Sequence, residues 1–190
     1  AVDAQRPAGS SIKPLSVYGP AFDLGLITQA TKVNDSADIT LSGTYWYPSN
    51  ASGGHSGIVT IRTALIRSLN TVAAQIVDKL TPAVSYEYLT ENLGFTTLVE
   101  ADKNYAPMAL GQLTNGVTVR EMAQAFSNFP NDGVMCQSRT YTLVEDSEGA
   151  TVLDNAVESS VAFKVNTARN IVDVLQAAAA WTTVLINMNA

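Results

Sequence analysis

Hydrophobic positions recur at helical spacing along most of the chain. Residues 60–80 carry the longest such stripe, made of Ile61, Leu65, Leu69, Val72, Ala73, Ile76 and Leu80. Residues 85–93 begin at a serine and end before Gly94, and residues 118–129 open with Thr118 and Glu121 at the spacing of a capping box. Residues 166–178 repeat the same period. The pattern predicts a mainly α-helical protein.

Two segments depart from the helical period. Between residues 138 and 153, β-branched and aromatic residues flank the turn sequence Asp-Ser-Glu-Gly, which predicts one β-hairpin. Residues 34–58 are rich in Gly, Ser, Asn and Asp and predict a long irregular connection. A loop of that length inside a compact domain is more often functional than idle.

Composition excludes several classes of function. The 190 residues suffice for one domain with a sizeable core, and the net charge of −6 argues against a nucleic-acid partner. Cys136 is the single cysteine and His55 the single histidine, so no zinc cluster is expected. His55 lies in a glycine-rich loop and is predicted to be a solvated residue, too isolated to be the base of a catalytic triad.

Ser10 and Lys13 form the first candidate site. Proline is tolerated in the first turn of a helix, so Pro14 predicts a helix start at which Ser10 and Lys13 share one face. A hydroxyl, an amine that can take its proton and the free N–H groups of a helix end are the parts of a serine–lysine nucleophile. The spacing alone is a weak signal, because about one such pair occurs by chance in a chain of this length. The alternative is a serine cap beside a solvated lysine.

Ser68 and Asn70 form the second candidate site. Residues two apart point to nearly opposite sides of a helix, so these two share a site only if the helix breaks near 68–70. The expected helices then run over about 60–67 and 71–80. The alternative is that one of the two side chains simply caps the second helix.

Five blocks of the sequence, in order, resemble the transpeptidase domain of class A penicillin-binding proteins. They are "QRPAGSSIKPL", "ITQAT", "YWYPSNASGGHSGIVTIRTALIRSLNTVAAQI", "LGF" and "APMALGQLTNGVTVREMAQAFSNFPNDG". The resemblance covers about residues 4–176 and leaves 177–190 unmatched. It implies that residues 1–190 are a single partial domain. This domain would be the helical core of a penicillin-binding/β-lactamase-like fold, with the hairpin at about 138–153 and the central sheet largely missing.

The resemblance also implies a role for each candidate residue. Ser10 would be the acylated nucleophile and Lys13 its base, while Ser68 would relay a proton and Asn70 would hydrogen-bond the substrate amide. The implied partners are the D-Ala-D-Ala end of a peptidoglycan stem peptide and the β-lactams that mimic it. No cofactor is implied, because serine acyl transfer needs none. The parent protein would act on the outer face of the cytoplasmic membrane, anchored by a segment absent here.

The chain also departs from the family pattern. None of its lysines is followed by Thr-Gly or Ser-Gly, so the third family motif is absent, and Ala8 stands where the family has proline. Because that motif's strand supplies an oxyanion donor and a wall of the substrate site, the chain is expected to acylate weakly or not at all. Helix faces left uncovered by the missing sheet are expected to self-associate.

Three alternatives to a transpeptidase fragment stay open at this point. One is a serine β-lactamase-like hydrolase, and another is a non-catalytic penicillin-binding-like interaction domain. The third is an inactive truncated or frame-shifted product.

Overall fold

Helices dominate the structure, a computed structural model that describes residues 2–188 and the side chains as far as residue 181. The α-helices are α1 Gly19–Asp23, α2 Ile61–Ile66, α3 Asn70–Leu80, α4 Pro82–Glu87, α5 Tyr105–Leu110, α6 Val119–Ser127 and α7 Val165–Met188. Short 3₁₀ or π-helical turns adjoin them at Gly9–Ile12, Pro14–Tyr18, Tyr88–Asn92 and Glu100–Asp102. The mainly helical fold follows the periodicity of the sequence.

The strands of the described residues pair antiparallel as four separate two-stranded sheets. These pair β1 Gln5–Arg6 with β4 Val117–Thr118, β2 Lys32–Asp35 with β3 Gly57–Thr60, β5 Val134–Cys136 with β8 Ser159–Val161, and β6 Leu143–Glu145 with β7 Thr151–Asp154. The β6–β7 pair is the predicted hairpin. The other three sheets were not predicted, and β2 and β3 occupy both ends of the stretch expected to be irregular.

The core is built around α3. Every residue of the apolar stripe predicted for 60–80 is at most 6% exposed, and α3 packs against α2, α4, α5 and the π-helical turn Pro14–Tyr18. Burying one such aliphatic side chain stabilises the fold by about 1.5–3 kcal/mol. Since this stripe anchors both α2 and α3, their relative position is held by the core.

The structure corrects one helix start. The helix expected to open at Ser85 begins at Pro82 instead, where the hydroxyl of Thr81 accepts the N–H of Val84 at 3.4 Å. Ser85 is buried one turn later, and its hydroxyl donates to the carbonyl of Ser16 at 2.5 Å. Proline at the first helical position and threonine before it are a better start signal than the serine.

Other helix ends follow the predictions. Gly94 has a φ of +67° and follows the helical turn Tyr88–Asn92, as expected for a C′ glycine. Thr118 and Glu121 form the expected capping box at the start of α6. Helix α7 extends past the predicted segment into the tail 177–190, of which residues 189–190 lie outside the described residues.

Candidate active site

Ser10 lies in the first turn of a helical segment, as Pro14 predicts. Gly9 enters the 3₁₀ turn Gly9–Ile12 with a φ of +55°, and the N–H of Lys13 donates to the carbonyl of Ser10. Residues three apart eclipse one another in a 3₁₀ helix, so Ser10 and Lys13 stand on one edge. Pro14 then opens the π-helical turn, where a missing N–H costs little.

The helix break expected at 68–70 is present. Helix α2 ends at Ile66, Ser68 has a φ of +54°, and Leu69 is extended before α3 begins at Asn70. The left-handed region costs a residue with a side chain about 1–2 kcal/mol. Such strain persists only where surrounding contacts hold it, and it is concentrated at functional sites.

Lys13 connects the two candidate pairs. Its ammonium Nζ donates to the Ser68 carbonyl at 2.8 Å, to Ser68 Oγ at 3.1 Å and to Asn70 Oδ1 at 2.7 Å. These contacts match the three N–H groups of a lysine ammonium. The side chain of Lys13 is fully buried, so the alternative of a solvated lysine is wrong. The capping alternative also fails, because Leu69 occupies the N-cap of α3 and no local side chain caps that end.

Burial changes the acidity of this lysine. It lowers the pKa of Lys13 from 10.5 to about 8, because the charged form loses its hydration. At pH 7 roughly a tenth of the molecules would then carry a neutral Lys13 amine. A lysine tuned in this direction is able to accept a proton from a neighbouring hydroxyl.

Ser10 and Asn70 line one open cleft of about 530 Å³. The end of α5 and the residues after it, 110–113, also line the cleft, and Gly111 approaches the serine turn so closely that a Cβ on it would lie 2.3 Å from the carbonyl oxygen of Gly9. Ser10 is exposed, and its hydroxyl has no hydrogen-bond partner within the described part of the chain. The structure therefore brings all four predicted residues to one place: Lys13, Ser68 and Asn70 by hydrogen bonds, and Ser10 through the shared turn and cleft.

Two residues beside this site, Asp35 and Asn50, were not predicted from the sequence. Asp35 is buried, and its carboxylate accepts from Thr71 Oγ1 at 2.6 Å, Asn50 Nδ2 at 2.7 Å, the N–H of Ser56 at 2.7 Å and His55 Nδ1 at 3.3 Å. Burial alone would raise the pKa of Asp35, but these hydrogen bonds lower it below its usual value. His55 is exposed, as predicted, but the prediction that it is isolated is wrong, because its ring lies against the buried carboxylate of Asp35.

No group of three or more His, Cys, Asp or Glu side chains suited to a metal ion occurs among the residues that the structure describes. Within the same residues, no helix has the length and apolar character needed to cross a membrane.

Comparison with known proteins identifies the family. The model of the penicillin-binding protein transpeptidase domain matches residues 1–185. The chain belongs to this family. The resemblance noted in the sequence is thereby confirmed, and it extends across most of the chain.

Two relatives show how much of a whole penicillin-binding protein the chain represents. Penicillin-binding protein 1A of Clostridium acetobutylicum is 38% identical over 157 residues, covering 79% of this chain and 19% of the relative. Penicillin-binding protein 4 of Bacillus subtilis is 34% identical over 167 residues, covering 88% of this chain and 26% of the relative. The chain thus spans about a fifth to a quarter of these proteins' length.

A solved structure supports the fold independently. Penicillin-binding protein A from M. tuberculosis, in its penicillin G acyl-enzyme complex, superposes with a TM-score of 0.78 at 17% identity. The match covers 95% of this chain and 45% of that chain. The backbone described here therefore shares the fold of the matching part of that protein.

Proposed function

We propose that this chain is part of a peptidoglycan D,D-transpeptidase, which transfers a stem-peptide acyl group to serine and then to an amine. One observation carries the proposal: the buried Lys13 ammonium, with its three hydrogen bonds to Ser68 and Asn70, belongs to the same helix start as the exposed hydroxyl of Ser10. A serine hydroxyl and a lysine amine on one turn are the parts that serine acyl transfer uses, and family membership supports the same reaction.

The first step forms an ester on Ser10. Neutral Lys13 takes the proton of the hydroxyl, and Oγ attacks the penultimate D-Ala carbonyl of the stem peptide. Ser68 Oγ lies 3.1 Å from Lys13 Nζ and passes that proton to the nitrogen of the departing terminal D-Ala as the C–N bond breaks. The N–H groups at the helix start face the developing oxyanion.

Asn70 orients the substrate in this scheme. One hydrogen of its Nδ2 donates to the Ser49 carbonyl at 2.9 Å, which leaves the second hydrogen for an amide carbonyl of the stem peptide. An amine of a neighbouring stem then attacks the ester carbonyl, and the new amide forms as Ser10 leaves and regains its proton. β-Lactams mimic the D-Ala-D-Ala dipeptide and stop the reaction at the ester.

The proposed activity of these 190 residues alone is weak. They contain no Lys-Thr-Gly or Lys-Ser-Gly sequence, and loss of a single oxyanion donor typically costs about 10²–10³ in rate. In the family, the strand that carries this motif supplies one wall of the substrate site, and the strands of the described residues form only two-stranded sheets.

Labelling with a fluorescent penicillin tests two proposals: that Ser10 is the nucleophile, and that the 190 residues alone have weak activity. The chain is compared with a version extended by transpeptidase strands that carry a Lys-Thr-Gly motif, each with and without Ser10→Ala. We expect the extended version to be labelled rapidly, the short chain slowly or not at all, and neither alanine variant to be labelled. Labelling that survives Ser10→Ala would contradict the nucleophile, and steady nitrocefin turnover would favour a β-lactamase.

We also propose a cellular location for the parent protein and a surface through which the chain self-associates. The parent protein would act on the outer face of the cytoplasmic membrane, which protease accessibility of intact cells tests.

The end of α6 and the facing side of α7 form a groove with a mostly apolar lining that includes Phe126, Phe129, Val172 and Leu175. This groove is where self-association would occur, and a monodisperse monomer in light scattering would contradict it.

A further inference from the structure

Helix α3 receives its N-terminal cap from a distant loop. Leu69 occupies the N-cap position and has no side-chain acceptor. In its place, Asn50 Oδ1 accepts the N–H of Asn70 at 2.8 Å and the N–H of Thr71 at 3.3 Å. The first free donors of the helix that carries Asn70 are therefore satisfied by a side chain of the loop 36–56.

Asn50 is itself held in one orientation. Its Nδ2 donates to Asp35 Oδ1 at 2.7 Å and to the Gly54 carbonyl at 3.0 Å, so its Oδ1 must face α3. Asp35 Oδ1 also accepts the hydroxyl of Thr71 at 2.6 Å, which closes the network on α3. Asp35 is 1% exposed and Asn50 5%, so water cannot easily replace these bonds.

The same loop fixes the side-chain amide of Asn70. Because the carbonyl of Ser49 accepts from Asn70 Nδ2, the Oδ1 of Asn70 is left to face the ammonium of Lys13 at 2.7 Å. Ser49 and Asn50 thus bind Asn70 through its side chain and its backbone respectively. A shift of either contact would move the acceptor that Lys13 uses.

We infer that Asp35 and Asn50 are positioning residues, which hold Asn70, and through it Lys13, in the arrangement of the site. This inference rests on the proposed function only where Asn70 and Lys13 are given catalytic roles. The positioning of Asn70 at the start of α3 can be tested without measuring enzyme activity.

The test measures amide hydrogen exchange and the Lys13 titration by NMR in Asn50→Ala. Loss of an asparagine cap is expected to speed exchange at the Asn70 and Thr71 amides by roughly 2- to 30-fold. The midpoint of the Lys13 Nζ titration is expected to rise from about 8 toward 10.5 as the site loosens and admits water.

Asp78→Asn is the matched control. Asp78 lies on α3 roughly two turns from Asn70 and binds the same loop through the N–H and hydroxyl of Ser42 and the N–H of Gly43. We expect this variant to loosen the loop near residue 42 while exchange at Asn70 and the titration of Lys13 stay unchanged. An effect on Lys13 as large as that of Asn50→Ala would mean that general loop stability matters, and it would overturn the inference.

Asp35→Asn gives a second route if Asn50→Ala does not fold. This substitution keeps Asn50 but replaces a carboxylate that accepts four hydrogen bonds with an amide, whose nitrogen can only donate. Faster exchange at the Asn70 amide is therefore again expected. Unchanged exchange and an unchanged Lys13 midpoint in the folded variants would overturn the inference. If penicillin labelling fails in the extended protein while these shifts appear, the transpeptidase proposal falls and the positioning network stands.

Discussion

Burial of Lys13 makes the stability of the protein depend on pH in an unusual direction. Its pKa is about 8 in the folded chain and 10.5 when exposed, so between these values the unfolded chain holds a proton that the folded chain has released. Stability therefore rises with pH across this window, and well below pH 8 the titration of this group no longer changes it, because both states are then protonated. Between pH 7 and pH 9.5 the gain is about 2 kcal/mol for these two pKa values.

Lys13→Met isolates this effect. Methionine fills much of the same volume without a titrating group, while the half-buried Ser68 and Asn70 lose the ammonium as their hydrogen-bond donor, which lowers stability by an amount that does not depend on pH. That cost is a constant offset between the two proteins. The difference in unfolding free energy between wild type and Lys13→Met is thus expected to grow in favour of wild type by about 2 kcal/mol from pH 7 to pH 9.5.

Urea unfolding followed by circular dichroism at pH 7, 8, 9 and 9.5 measures this difference. Burial raises the pKa of Tyr18 and Tyr88, but these groups are common to both proteins and cancel in the comparison. Lys32→Met, at an exposed position, is the matched control for replacing a lysine by methionine. Parallel stability curves for wild type and Lys13→Met would refute the reasoning, because they would mean that Lys13 titrates as an ordinary surface lysine.

Three further predictions concern the same framework. Gly111→Ala is expected to destabilise the protein by more than Gly25→Ala: both residues have a φ near +70°, but only at Gly111 would the added Cβ meet backbone, 2.3 Å from the Gly9 oxygen. Equal unfolding free energies for the two variants would contradict the close approach. Glu121→Gln is expected to cost about 1–3 kcal/mol at pH 7 in urea unfolding, because its carboxylate accepts from three threonines. Burial opposes this charge, but the hydrogen bonds lower the pKa of Glu121 below 4.5, so the gap between the two proteins should close only as pH falls below that value. In the extended, active version, the rate of penicillin labelling is expected to rise through pH 8 as Lys13 becomes neutral, and a flat profile would contradict its role as base.

The sequence alone determined the local geometry of the site. Pro14 and its spacing from Ser10 predicted the helix start, and the two-residue separation of Ser68 and Asn70 required a break that the structure contains at Ser68. These predictions hold because backbone geometry sets which neighbours along the chain share a face. The helix start at Pro82 was missed, although its signal was equally local.

Tertiary structure decided the properties on which the chemistry depends. Only packing of distant segments buries Lys13, lowers its pKa and directs its ammonium to Ser68 and Asn70. The cap of α3 carried no local signal, because its acceptor comes from Asn50, a residue remote in sequence. The spacing of residues along the chain determines which face of a helix each side chain takes. Desolvation and long-range hydrogen bonds instead depend on which distant segments pack around a side chain and exclude water from it.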